Sequence, residues 1–108
     1  MKSVQIYLGK PQTNKLVVCD VQQNQQVTVK QFIFNNSLET EQTVTLTLNT
    51  IDIMTVKVKP GDNVRDTFIV LNSGDKLLIQ QETENAVNVM INGTSEQVVS
   101  NSPTSTPY

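Results

Sequence analysis

The chain contains no histidine and no tryptophan, and it has a single cysteine, Cys19. Without histidine it lacks the commonest general base, the commonest metal ligand and the usual partner of a nucleophilic serine or cysteine. One cysteine allows no internal disulfide, and with no Cys or His companion it excludes a zinc site on ligand count. Charged residues make up only 17% of the chain, Lys+Arg 8 against Asp+Glu 10. No basic cluster of the kind that neutralises phosphates is present, so no nucleic-acid partner is expected. No apolar run approaches the ~20 residues of a membrane span. Residues 1–5 lack the continuous apolar segment of a signal peptide. The expectation is a protein made in a cytosol, with no membrane partner and no export signal of its own. The four glycines, Gly9, Gly61, Gly74 and Gly93, are isolated and read as turn residues, so there is no glycine-rich phosphate loop.

What the chain does have is β-branched and aliphatic residues for a core and an uncharged polar surface of Gln, Asn and Thr. Its 108 residues make one domain, able to bury roughly 65% of its unfolded surface. Apolar residues alternate with polar ones over 3–8, where Val4, Ile6 and Leu8 share a face, and most cleanly over 42–49. There Val44, Leu46 and Leu48 point inward, with Thr43, Thr45 and Thr47 toward water. Further strands are expected over 15–21, 26–35, 51–58, 64–71, 76–81 and 86–91. The consecutive Leu16, Val17 and Val18 indicate burial on both faces or a local bulge. Apolar residues of both parities around Phe32 and Phe34 imply cover from both sides. Three strands in the stretch 64–93 cannot bury their inward faces alone, so the rest of the chain must supply an opposing sheet. About eight strands at this spacing, with minimal helix, predict an all-β antiparallel sandwich, jelly-roll or Ig-like. Residues 1–99 form that domain, and 100–108 read as an extended C-terminal arm.

Catalytic chemistry finds little purchase. Carboxylates come in near pairs, Asp62 with Asp66, Glu39 with Glu41 and Glu82 with Glu84, and read as solvated loop acids rather than a hydrolytic pair. Oxygen ligands at Asp62, Asn63 and Asp66 match no calcium-loop spacing. Cys19 reads as a buried small hydrophobe. Asn35-Asn36-Ser37 and Asn92-Gly93-Thr94 match the glycosylation sequon by coincidence in an Asn- and Thr-rich chain. No enzyme, metal or cofactor is expected. Phe32, Phe34 and Phe68 are assigned to the core.

Taken in order, Val27-Thr28-Val29-Lys30, Phe32-Ile33-Phe34-Asn35-Asn36, Val44-Thr45-Leu46-Thr47-Leu48-Asn49, Pro60-Gly61-Asp62, the hairpin Leu71-Asn72-Ser73-Gly74-Asp75-Lys76-Leu77 and Ala86-Val87-Asn88-Val89-Met90-Ile91-Asn92-Gly93 form one pattern. Over residues 15–99 this pattern resembles a small β domain found among structural proteins of tailed bacteriophages. The segment 51–59 is longer and more charged than that pattern, and the Ser/Thr/Pro tail lies outside it. The resemblance implies a non-enzymatic virion component made in the host cytoplasm, attached to other virion proteins of the capsid or tail. Capsid decoration or head-fibre-type attachment is the first expectation, because the chain has no collagen-like or coiled-coil shaft. A tail or baseplate component and a host-surface carbohydrate-binding module are the alternatives. A homo-oligomer or multi-copy lattice component is expected, with assembly contacts at Tyr7 and, on the arm, Pro103, Pro107 and Tyr108. Removal of residues 101–108 should therefore diminish assembly onto particles, measured by co-sedimentation; undiminished assembly would count against the arm.

Overall fold

The computed structural model describes residues 1–98, which form eight strands and, among these residues, no helix. They are β1 (Lys2–Gly9), β2 (Leu16–Asp20), β3 (Gln25–Asn36), β4 (Gln42–Leu48), β5 (Ile51–Val58), β6 (Gly61–Leu71), β7 (Lys76–Gln81) and β8 (Val87–Gln97). Two four-stranded antiparallel sheets result, with strand orders β1-β8-β3-β6 and β2-β7-β4-β5. The pairing is nested: β1 with β8, β2 with β7, β3 with β6 and β4 with β5. The chain is thus one long hairpin with its tip at residues 49–50, rolled so that β3 also meets β8 and β4 also meets β7. That order is a jelly roll, the first of the two sandwich topologies the strand pattern allowed.

Every connection except the β4–β5 tip crosses from one sheet to the other. The segment 72–75, expected as a hairpin, is therefore a corner between sheets, and the three strands of 64–93 divide between both. Gly74 takes the left-handed conformation there at φ 88°, and its N–H donates to the Val21 carbonyl at 2.9 Å. Asn49, at φ 58°, closes the tip. Its side chain accepts from the Lys76 N–H at 2.9 Å and donates to Asp75 at 3.1 Å, tying tip to corner. At the opposite end two buried amides replace missing backbone partners. Asn36 donates to the Thr40 and Val58 carbonyls, both at 2.9 Å. Gln81 donates to the carbonyls of Pro11 and Val87 and accepts from the Val87 N–H at 3.0 Å.

The core lies between the sheets. Phe32 and Phe34 stack with ring centroids 5.7 Å apart, packed among Val29, Val44, Leu46, Leu71, Leu77 and Ile79, all fully buried. Each such side chain contributes about 2 kcal/mol of transfer free energy. The strand assignments of the sequence hold, with parity corrections that share one cause. In β3 the register shifts at Lys30, so Val27 and Val29 before it and Phe32 and Phe34 after it all face inward, and Ile33 faces out. Apolar residues of both parities mark a bulge, not double cover. A shift at Ile6 likewise turns Tyr7 inward and Leu8 outward. The β2 bulge, one of the two readings of Leu16-Val17-Val18, lies at Val18. Thr47 is buried rather than facing water, and its hydroxyl donates to Asp52 at 2.7 Å.

The first sheet carries a transverse crease. In β1 Ile6 is the extra residue, in β3 it is Lys30, and in β6 Thr67 and Phe68 together face Lys30. All lie within one residue of Asn92 and Gly93 on β8, a straight strand that runs six residues past its expected end, to Gln97. Asn92-Gly93, expected as a turn, is the middle of a central strand, held by backbone ladders on both sides. The bent β3 presses on it: a Cβ on Gly93 would lie 2.0 Å from the Thr28 carbonyl oxygen and 3.0 Å from Ile6. Gly93→Ala should therefore destabilise the fold by about 3 kcal/mol, the upper part of the range for overpacking. Urea unfolding checks this, with the midpoint moving and the slope unchanged.

Candidate functional site

Among the described residues no group of three or more His, Cys, Asp or Glu side chains could hold a metal ion. Cys19 is half-buried beside the core, and burial, with a smaller contribution from Asp20, pushes its thiol pKa up. It is a poor source of thiolate. The Thr47 hydroxyl, and secondarily the Lys15 ammonium 3.6 Å away, hold the Asp52 carboxyl below its ordinary value, with partial desolvation opposing them. This exposed pair braces the hairpin tip. Glu82 accepts the Thr43 backbone N–H at 2.8 Å, another structural bond. Asp62 and Asp66 sit on the outer side of β6 with Val64 between them, each accepting from a different β3 amide.

The unusual surface is the outer face of the first sheet, where the register stacks side chains into transverse rows. One row is apolar across all four strands: Leu8, Met90, Ile33 and Val64 are directly opposite one another in turn. Leu8 and Val64 are each 64% exposed. Beside this row lies a polar one, Gln5, Asn92, Gln31 and Asp66, in which Asn92 donates to Gln31 and Gln31 to Asp66, both at a long 3.4 Å. On the other side Asn88, Asn35 and Asp62 align, with Asn35 donating to Asp62 at 2.6 Å. At the crease, Phe68 projects from β6 at 71% exposure.

Two depressions follow from this relief. The larger, about 600 Å3, lies in the crease over Gly93 and is lined by Gln5, Lys30, Gln31, Asp66 and Asn92, among others. The smaller, about 220 Å3, is apolar and bounded by Leu8, Ile33 and Met90. The face therefore offers a knob, a hollow and a greasy bar, with hydrogen-bonding groups around them. Such relief suits contact with another surface, and Lys30 and Asp66 are the charged groups that line the larger depression.

Of the assembly contacts expected from sequence, Tyr7 is half-buried and packs against the core, its hydroxyl close over Gly9. Burial raises its pKa. It closes the sandwich beside β8, and only part of its ring is open to another molecule. Pro103, Pro107 and Tyr108 lie outside the described residues. Phe32 and Phe34 are core as expected, but Phe68 is not. The apolar row escaped sequence reasoning because Val64, Phe68 and Val70 alternate as well as any buried face; only the pairing of Ile69 and Leu71 with inward β3 residues shows which parity is out.

No protein-family model matches the chain, and no curated protein matches it. No helix among the described residues is long and apolar enough to cross a membrane. The fold is a β-sandwich whose first sheet presents an exposed, partly apolar outer face. Phe68 should be nearly dispensable for stability: Phe68→Ser is expected to change unfolding free energy by less than about 0.5 kcal/mol. Phe32→Ala should cost about 4 kcal/mol. Denaturant unfolding of both variants checks the contrast.

Proposed function

We propose that the chain is a non-enzymatic structural or accessory protein of a tailed-phage particle, acting through assembly contacts as a capsid decoration or head-fibre-type unit. The observation that supports this most is the exposed apolar row Leu8–Met90–Ile33–Val64, with Phe68 exposed on the same face beyond the polar row. A protein with no catalytic constellation in view keeps large apolar side chains exposed together on one sheet face, and such patches mark interaction surfaces. The phage context comes from the order of sequence fragments over residues 15–99. Jelly rolls serve capsids, lectins and cupins alike, so the fold is compatible with the reading without selecting it.

One observation favours a second reading, a host-surface carbohydrate module. The crease is lined by amides that donate and accept and by a carboxylate that accepts, with an exposed aromatic ring on the same face. Purified particles labelled with gold-conjugated antibody to the chain separate these readings. Regular labelling over the capsid is the expected result. Labelling at the tail tip, together with glycan-array binding lost in Gln31→Ala, favours the second; particles without the protein overturn both.

A further inference from the structure

The relief of the first sheet's outer face is self-complementary, and we propose that its occupant is the same face of a second copy of this chain. Consider a two-fold axis lying in the interface along the strand direction. It keeps each transverse row on its own level but reverses strand order, so β1 of one copy covers β6 of the other and β8 covers β3. Leu8 then lies over Val64 and Met90 over Ile33, each apolar side chain meeting another. In the polar row Gln5 meets Asp66 and Asn92 meets Gln31, so donors face acceptors whose internal bonds are long.

Charge agrees with this arrangement. On the β1 side of the face stands Lys10 and no acid, Lys2 having the opposite parity across from Ser95, whereas β6 presents Asp62 and Asp66 outward. Extending the β1–β8 register one residue beyond Gly9–Val89 puts Lys10 opposite Asn88, on the row that ends at Asp62. The same axis brings Lys10 of each copy over Asp62 of the other. An axis across the strands would instead stack β6 on β6, acid on acid.

The shape agrees as well. Phe68 stands on the crease level of β6, and the axis carries it over the β1 side of the second copy. There Ser3, Val4 and Gln5 border the 600 Å3 hollow above Gly93. The crease thus builds both knob and hole, two of each per dimer. A face of four strands about 4.8 Å apart buries on the order of 1,000 Å2 in total, which places the pair at the weaker end of specific interfaces. The proposal rests on the assembly reading only in taking this face as a docking surface, and it does not depend on which particle carries the protein.

Sedimentation velocity of the full chain over a micromolar to millimolar series tests it. A reversible monomer–dimer equilibrium is expected, weakened at least tenfold by Phe68→Glu or Val64→Glu, with circular dichroism unchanged. Lys10→Glu and Asp62→Lys should each weaken the dimer, and their combination should restore it. In a Cys19→Ser background, Leu8→Cys with Val64→Cys should oxidise to a covalent dimer. Within one chain these positions lie three strands apart, roughly 14 Å, too far for a disulfide. Neither single cysteine variant should cross-link. A monomer at every concentration, a dimer indifferent to Phe68→Glu, or no cross-link in the double variant would overturn the proposal. Loss of the dimer with particle labelling intact would leave the assembly reading standing.

Discussion

Everything in this structure depends on the chain pairing with itself outward from Asn49. Once β4 and β5 meet, each successive pair must form farther from the tip, until β1 lies against β8. Nearly all the pairing is therefore between residues remote in sequence, which costs loop-closure entropy before it gains contacts and makes folding slow. Rolling the hairpin into two sheets leaves corners at which backbone groups lose their ladder partners. The sequence meets this with amides: Asn49 at one end, Asn36 and Gln81 at the other. A neutral amide both donates and accepts without the desolvation cost of a charge. Asn36, Asn49 and Gln81 serve the fold in this way, while most other Asn and Gln side chains among the described residues lie at the surface.

The crease is the second consequence. In the first sheet, bulges at Ile6 on β1, Lys30 on β3 and Thr67–Phe68 on β6 fall at one level, while β8 carries no extra residue. The single-residue bulges at Ile6 and Lys30 reverse side-chain parity along their strands, whereas the two extra residues of β6 leave its parity unchanged. The reversal keeps Phe32 and Phe34 in the core and sends Leu8 and Ile33 outward. The exposed apolar row is thus a product of the same local geometry that completes the core, and Gly93 is the residue that lets the strands approach closely enough.

Much of this was legible from the residues. Alternation located all eight strands, because period-two patterning reflects one buried face directly. The sandwich class followed from strand number and spacing. A bulge was one of the two readings at Leu16-Val17-Val18, where three apolar residues in a row violate alternation; near Lys30 the apolar residues of both parities fit double cover as well as a bulge, and at Ile6 the pattern reads equally well without one. The extension of β8 through Thr94 to Gln97 was hidden because its stabilisation is backbone hydrogen bonding to two neighbours, which leaves no side-chain signal. The exposed apolar row was the least legible. Val64 and Phe68 look like core until pairing fixes their parity, and rows across four strands join residues as distant as Leu8 and Met90.

The claim that this outer face is where the molecule meets its own kind can be tested at one atom. Met90 lies at the centre of the apolar row, and Met54 packs inward from the second sheet. In a chain with labelled methionine methyl groups, followed by nuclear magnetic resonance as concentration rises, the Met90 methyl should shift and become shielded from a soluble paramagnetic probe. The Met54 methyl should not move. A Met90 signal that stays exposed and unshifted at every concentration, or a Met54 signal that changes equally, would contradict the account.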